Sequence, residues 1–142
     1  MVFAESVEDI VATVRFAAER NLKIAGQGTG HGASPLEPLD SAILLKTERM
    51  RGVEVDPGAG TARAETSALV IELSEAAGAH GFAFLPGSAP DVGVVGYTLG
   101  GGLSWLGRRH GLACNRVCAI ELVTAEGEAR TVNAERDPNL FC

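Results

Sequence analysis

Residues 86–102 read PGSAPDVGVVGYTLGGG, a stretch that is rich in glycine, almost uncharged and strongly apolar. Glycines clustered between segments of good periodicity indicate backbone that a ligand approaches closely. A flexible linker would carry serine and other polar residues instead of valine, leucine and tyrosine. The stretch therefore predicts either a buried turn or the lining of a large, mostly apolar ligand that is held by a few backbone hydrogen bonds.

A second glycine-rich stretch, GQGTGHGAS at residues 26–34, lies nearer the amino terminus. Alternating glycines permit positive φ and leave successive backbone N–H groups free to bind an anion such as a phosphate. The stretch lacks the lysine of a Walker loop and the helix and downstream acid of a Rossmann fingerprint. On its own, the pattern fits a tight turn between two strands as well as it fits a phosphate site.

His31 stands in the middle of this loop, between Gly30 and Gly32. A single histidine is more often a surface residue than a functional one. The flanking glycines change this expectation, because the side chain would project from backbone that is itself able to hold a pyrophosphate. His80 and His110 lack such a setting, and we interpret them as ordinary polar residues.

Periodicity and turn signals predict a mixture of helices and strands. Ser6 and Asp9 resemble a capping box in front of apolar residues at helical spacing, and Thr66 or Ser67 is expected to cap a second helix. The predicted helices cover about 6–20 and 66 to 78 or 81, and the predicted strands cover 22–26, 41–46, 52–56, 61–65, 116–124 and 129–133. Because the first loop follows a strand, it would lie at that strand's carboxyl end, where α/β folds bind ligands.

The chain has 142 residues, 46% of them hydrophobic, which is enough for one domain with a core. Its net charge of −6 and its scattered basic residues argue against a nucleic-acid partner. The apolar runs are shorter than the ~20 residues of a membrane span, and the start does not resemble a signal peptide. Three cysteines are too few for a disulfide framework, so we expect a soluble, cytoplasmic protein. The last residues carry no helix end or cap, and we expect a truncated domain.

The two stretches together resemble a known family. GTGHG at 28–32, followed by PGSAPDVGVVGYTLGGGLSWLGRRHGLACNRV at 86–117 and AIELVTAEGE at 119–128, is similar to the FAD-binding domain of the vanillyl-alcohol oxidase and berberine-bridge-enzyme type FAD-linked oxidases. The resemblance implies an α+β fold of the PCMH type with two small α/β lobes, at about residues 1–50 and 51–142, and FAD between them. It also implies that the C-terminal part of this domain and the substrate domain are missing.

The resemblance further implies a cofactor site. In that family the backbone amides of the first loop hold the FAD pyrophosphate, and the loop histidine is joined to the dimethylbenzene ring of the flavin, which here indicates His31. The residues expected to bind FAD are Gly28, Thr29, Gly30, His31, Gly32, Ser34, Pro86, Gly87, Ser88, Val92, Gly93, Gly96, Tyr97, Gly100, Gly101, Gly102 and Ile120.

Four further details follow from individual residues. Many berberine-bridge members carry a second, cysteinyl attachment where this chain has Ala89, so a single covalent link is predicted. Val92 resembles the position at which a small residue is associated with oxygen access to the reduced flavin, which favours an oxidase. Cys114 and Cys118 are expected to be buried small residues rather than zinc ligands. Residues 105–109 are expected to cap a helix that closes the second loop.

The resemblance therefore implies an FAD-dependent oxidoreductase that removes a hydride from an alcohol, a sugar or a similar small-molecule C–H donor, with dioxygen as acceptor. The sequence assigns no catalytic base, metal or oligomeric state. Three alternatives stay open: a noncovalent FAD reductase of the enolpyruvyl-glucosamine reductase type, a non-enzymatic nucleotide-binding module, and an α+β domain with glycine-rich turns. Flavin that stays attached after denaturation would exclude the reductase, and phosphate affinity without flavin would favour the binding module.

Overall fold

The computed structural model describes residues 1–33 and 39–141. A parallel sheet forms its first part, built from β1 (Val2–Phe3), β2 (Lys23–Gln27) and β3 (Ala42–Lys46), with β3 in the middle. Helix α1 (Val7–Glu19) connects β1 to β2. The Ser6 hydroxyl accepts a hydrogen bond from the N–H of Asp9, and the Asp9 carboxylate accepts one from the N–H of Ser6. The predicted capping box is therefore confirmed.

The carboxyl ends of β2 and β3 lie side by side, since Gln27 is the register partner of Lys46. The loop that follows β2 therefore begins at the carboxyl edge of the parallel sheet, as the sequence predicts. Ala4, Leu45 and Met50 form the buried cluster beneath this sheet, and apolar residues of α1 pack against it. Burial of this cluster fixes the edge from which the first glycine-rich loop projects.

Two antiparallel hairpins follow. They are β4 (Val53–Asp56) with β5 (Thr61–Ala64), and β6 (Ile120–Val123) with β7 (Ala129–Val132). The Asp56 carboxylate accepts hydrogen bonds from the N–H groups of Gly58 and Ala59, which closes the first turn as predicted. The guanidinium of Arg63 donates two hydrogen bonds, of 3.1 and 2.6 Å, to the Glu121 carboxylate. This ion pair ties one hairpin to the other.

The predicted strand over 116–124 is too long, because only Ile120–Val123 pairs as a strand. Before this strand, Ala113–Arg116 forms a 3-10 helix. The first two residues of this helix are hydrogen-bonded to Gly101 and Gly102. The N–H of Ala113 donates to the carbonyl of Gly102 (2.9 Å), and the N–H of Cys114 donates to that of Gly101 (3.1 Å). These hydrogen bonds to Gly101 and Gly102 stabilise the 3-10 helix, which the alternating apolar pattern of residues 116–124 does not predict.

Helix α2 (Val70–Gly78) begins later than predicted, and neither Thr66 nor Ser67 caps it. Ser67 is buried and its hydroxyl is hydrogen-bonded to Thr47, so it is not available to the helix. Glu72 takes over the cap, because its carboxylate accepts a hydrogen bond from the N–H of Leu69 at 2.7 Å. That bond, together with the Arg51 guanidinium 2.6 Å away, lowers the pKa of Glu72 despite partial burial.

The second glycine-rich stretch contains a short helix, α3 (Val94–Leu99), where the sequence predicts a loop throughout. Two further short helices, α4 (Gly107–His110) and α5 (Pro138–Phe141), complete the fold. Cys114 and Cys118 are free and exposed, so the expectation that they are buried is wrong. None of the helices in the described ranges has both the length and the apolar character needed to cross a membrane.

Candidate cofactor site

The first glycine-rich loop ends in a tight turn that presents His31. Gly30 has a φ of +76°, a conformation that glycine adopts without steric cost. The N–H of Ala33 donates to the carbonyl of Gly30 at 3.1 Å, which closes a turn with His31 and Gly32 at its centre. His31 is exposed at this turn. The conformation of Gly30 and the hydrogen bond from Ala33 therefore place His31 at the tip of the loop.

A buried hydrogen-bond network fixes the base of the loop. The carbonyl of Gln27, the last residue of β2, accepts a hydrogen bond from the N–H of Thr47 at 3.0 Å. The hydroxyls of Thr47 and Ser67 are 3.0 Å apart and buried. This network joins the ends of β2 and β3 to the segment before α2. No local sequence pattern indicates this network, because its members are separated by about twenty residues.

The second stretch is held against the same segment. The N–H of Val70 donates to the carbonyl of Val92, and the N–H of Val94 donates to that of Ala68, both at 2.9 Å. Gly93 also contacts the first loop directly, because a Cβ atom there would lie 2.8 Å from Cγ2 of Thr29. The fold therefore brings the two glycine-rich stretches into contact, although more than fifty residues separate them in the sequence.

Between the two stretches lies a cavity of about 230 Å³, which we call the His31 cavity. The residues that line it are His31, Val70, Gly87, Ser88, Ala89, Val92, Tyr97 and Leu103. Five of these eight residues have no polar side-chain atom, and an imidazole, a hydroxyl and a phenol are the polar side chains of the lining. It contains no carboxylate, so the described residues supply no acidic general base here. An apolar wall with a few polar groups suits a flat aromatic ligand.

A second cavity, of about 220 Å³, lies beside the start of the first loop, with Gln27, Gly28 and Thr29 in its lining. Lys46 and Arg51 also line it, but each is paired with a carboxylate at 2.6 Å, Lys46 with Glu48 and Arg51 with Glu72 outside the cavity. Their positive charge is therefore already largely compensated. The cavity offers polar groups to a ligand without a strong attraction for anions.

The glycines provide a test of whether these stretches fit a ligand. Among the described residues, four glycines have ordinary φ values and no protein atom within 4 Å of an added Cβ: Gly26, Gly32, Gly78 and Gly96. Neither backbone conformation nor internal packing explains the lack of a side chain at these positions. Three of the four lie in the two glycine-rich stretches. Close approach of a bound molecule explains this distribution, and the backbone of both stretches therefore fits an extended cofactor.

The predicted site residues differ in where the structure places them. Those in the two cavity linings are Gly28, Thr29, His31, Gly87, Ser88, Val92 and Tyr97. Those outside both linings are Gly30, Gly32, Pro86, Gly93, Gly96, Gly100, Gly101, Gly102 and Ile120. Gly101 and Gly102 instead bond the 3-10 helix, and Ile120 pairs with Val132 in a hairpin. Ser34 lies outside the described residues.

Three residues that line the cavity with His31 are not among the predicted binding residues: Val70, Ala89 and Leu103. Ala89 had been singled out only as the place of an absent cysteine. Val70 belongs to the apolar face of α2, and this pattern alone does not indicate that it also lines the cavity. Leu103 is 78% exposed. Its place directly after Gly100, Gly101 and Gly102 is the one sequence feature that could have indicated a role in binding. No group of three or more potential metal ligands is present in the part of the chain that the structure describes.

Comparison with known proteins identifies relatives of the whole chain. The FAD binding domain family matches residues 1–133. (R)-6-hydroxynicotine oxidase of Paenarthrobacter nicotinovorans is 29% identical over 136 residues, which are 96% of this chain and 30% of that protein. The crystal structure of 6-hydroxy-D-nicotine oxidase from Arthrobacter nicotinovorans superposes with a TM-score of 0.90 at 29% identity, over 97% of this chain and 30% of that one.

Glucooligosaccharide oxidase from Acremonium strictum, described with a 6-S-cysteinyl, 8α-N1-histidyl FAD, superposes with a TM-score of 0.86 at 28% identity. The match covers 98% of this chain and 30% of that one. The chain thus spans about 30% of the length of these relatives. The superpositions confirm the α+β fold of the PCMH type, while the lobe boundary near residue 50 stays a prediction. The chain belongs to the FAD binding domain family, and FAD is its cofactor.

Proposed function

We propose that this chain holds the flavin of an FAD-linked oxidase and that His31 carries the flavin as a single covalent attachment. The flavin ring would occupy the His31 cavity, against Gly87, Ser88 and Tyr97. The backbone amides of the first loop would bind the pyrophosphate, because that loop is rich in glycine and none of its described residues is fully buried. Bound FAD supplies a ring that accepts a hydride from a substrate C–H bond and passes the electrons to dioxygen.

Two features support one covalent link rather than two. His31 stands at the tip of the turn and lines the cavity. Ala89 lines the same cavity and has no sulfur with which to form a second bond. Glucooligosaccharide oxidase, described with both a cysteinyl and a histidyl bond, is therefore a related case with one more attachment. A histidyl link withdraws electrons from the ring and raises the reduction potential, which suits an oxidising enzyme.

The substrate we propose is a small alcohol, sugar or amine-bearing molecule with an oxidisable C–H bond. The relatives named above are described as oxidases of hydroxynicotine and of glucooligosaccharides. Dioxygen is proposed as the acceptor because Val92, which lines the cavity, resembles the position at which a small residue is associated with oxygen access to the reduced flavin. A Val92→Leu variant is expected to slow the reaction of chemically reduced flavin with air-saturated buffer. Unchanged reoxidation would contradict this role of Val92.

The observation that carries the proposal is the set of open glycines in the two glycine-rich stretches, which border the cavity without lining it. Gly96 lies in α3, inside the second stretch, and Gly78 ends α2, away from it. At neither position would an added Cβ lie within 4 Å of a described residue outside the glycine's own helix backbone and chain neighbours. The same substitution at the two positions therefore separates an effect on the ligand from an effect on the protein.

Gly96→Ala and Gly78→Ala are each expected to raise the free energy of unfolding by up to about 1 kcal/mol, because alanine favours helix more than glycine does. Gly96→Ala is expected to reduce FAD uptake by the flavin-free protein roughly tenfold or more, because its methyl group occupies the ligand's space. Gly78→Ala should bind FAD as the wild type does. Fluorescence titration with FAD measures this difference, and equal uptake by both variants would contradict the proposed position of the cofactor.

A further inference from the structure

Tyr97 lies on α3 with its ring between two glycines from separate segments. A Cβ atom on Gly87 would lie 3.0 Å from Cε2 of Tyr97, and a Cβ atom on Gly102 would lie 2.9 Å from Cε1. Because Cε1 and Cε2 are on opposite edges of the ring, the two glycines flank it on both sides. The absence of side chains at both positions leaves room for the ring.

The hydroxyl of Tyr97 donates a hydrogen bond to the carbonyl of Leu85 at 3.1 Å, in partly buried surroundings. Residues 83–89 form neither helix nor strand. Within the described residues, no other hydrogen bond reaches this segment. Among the described residues, the hydrogen bond from the Tyr97 phenol is therefore the only one that joins residues 83–89 to the rest of the protein.

This segment forms part of the His31 cavity, because Gly87, Ser88 and Ala89 are in its lining. We propose that Tyr97 is a positioning residue, which holds residues 85–88 in the conformation that receives the flavin. The proposal rests on the proposed function, since it takes the flavin as the occupant of the cavity. A wall fixed before binding spares the ligand the cost of ordering it.

The phenol is not placed to act as a base. Its proton is engaged by the Leu85 carbonyl, and burial raises the pKa of Tyr97 above its ordinary value. Removal of the hydroxyl is therefore expected to change how the pocket is held without removing a proton acceptor.

Tyr97→Phe tests this role, because it keeps the ring between the glycines and removes only the hydroxyl. Thr13→Val is the matched control, since the Thr13 hydroxyl also donates to a backbone carbonyl, that of Asp9 at 2.7 Å, but within α1. The full-length protein is produced without flavin in a riboflavin-requiring host, and FAD uptake is followed by quenching of FAD fluorescence. The visible spectrum of the bound flavin is then recorded.

Tyr97→Phe is expected to slow the initial uptake of FAD about two- to tenfold, since one hydrogen bond sets the fraction of protein with the segment in place. It is also expected to shift the visible absorption bands of the bound flavin. Thr13→Val should change neither. Circular dichroism should show both flavin-free variants to be folded, and loss of folded structure in Tyr97→Phe alone would overturn the positioning role.

The outcomes separate this inference from the function beneath it. Wild-type protein that binds FAD, together with a Tyr97→Phe variant that equals the control in rate and spectrum, would overturn the role of Tyr97 and leave the FAD site intact. Folded wild-type protein that takes up no FAD would overturn the proposed function and this inference with it.

Discussion

The glycines of the two glycine-rich stretches differ in what surrounds them. At Gly87, Gly93 and Gly102 an added Cβ would lie between 2.5 and 3.0 Å from another part of the protein. At Gly32 and Gly96 it would meet no atom of the described residues within 4 Å, apart from the glycine's own chain neighbours and helix backbone. The first group is required by the protein's own packing. The second group has no such requirement, and the reason that we propose for it is close approach of the bound cofactor.

This difference separates folding from function inside one site. Substitution of a packed glycine is expected to destabilise the protein whether or not flavin is present. Substitution of an open glycine is expected to leave the free energy of unfolding unchanged or slightly raised and to weaken binding of the cofactor. A glycine-rich stretch is therefore not uniformly a ligand site, and its members are distinguished by their neighbours in the fold.

The largest effect on stability is expected for Gly102→Ala. Gly102 has a φ of +73°, and the new Cβ would lie 2.5 Å from Cβ of Ala113 and 2.9 Å from the Tyr97 ring. Left-handed backbone and overpacking together predict a loss of about 3 kcal/mol in the free energy of unfolding. Urea unfolding of the flavin-free protein measures the loss. Stability equal to that of Gly96→Ala would break the distinction between the two groups.

A smaller effect is expected for Gly93→Ala, whose Cβ would lie 2.8 Å from Cγ2 of Thr29. The clash predicts a loss of about 1–2 kcal/mol in the free energy of unfolding. Thr29→Ala removes the clashing methyl group. The double variant should therefore lose less free energy of unfolding than the two single variants lose when their losses are added. A double-mutant cycle from urea unfolding measures this coupling. Strict additivity would show that the two stretches do not constrain each other here.

The smallest effect concerns Glu72, which caps α2 outside both glycine stretches. Its folded pKa lies below the ordinary value of 4.5, mainly because its carboxylate accepts the Leu69 N–H. Its contribution to stability is therefore present above that value and is lost as the pH falls through the folded pKa. Glu72→Gln should cost about 0.5–1 kcal/mol near pH 7 and progressively less in acid.

The control for this prediction is Glu75→Gln, on the exposed face of the same helix. It removes the same charge without a hydrogen bond to a helix N–H. Urea unfolding between pH 3 and pH 7 should give a pH-dependent difference only for Glu72→Gln. Parallel curves for the two variants would show that charge alone, rather than the cap, accounts for the effect.

Elements with local signals could be predicted from the sequence. The capping box of α1 and the turns of the two hairpins depend on residues within a few positions of one another. The start of α2 could not be predicted, because Ser67 is bonded to Thr47 rather than to the helix. The position of Tyr97 between Gly87 and Gly102 also depends on contacts that no local pattern encodes. The sequence thus indicates that the two stretches share a site, and the fold determines which residues line it.

The most direct test of the central claim is whether flavin stays on the protein after denaturation. Wild-type protein, His31→Ala and the control His80→Ala are purified at full length and precipitated with acid, and flavin absorbance is recorded for each pellet and supernatant. We predict a yellow pellet for the wild type and His80→Ala, and a colourless pellet for His31→Ala. Flavin released into the supernatant from the wild-type protein would contradict the covalent attachment at His31.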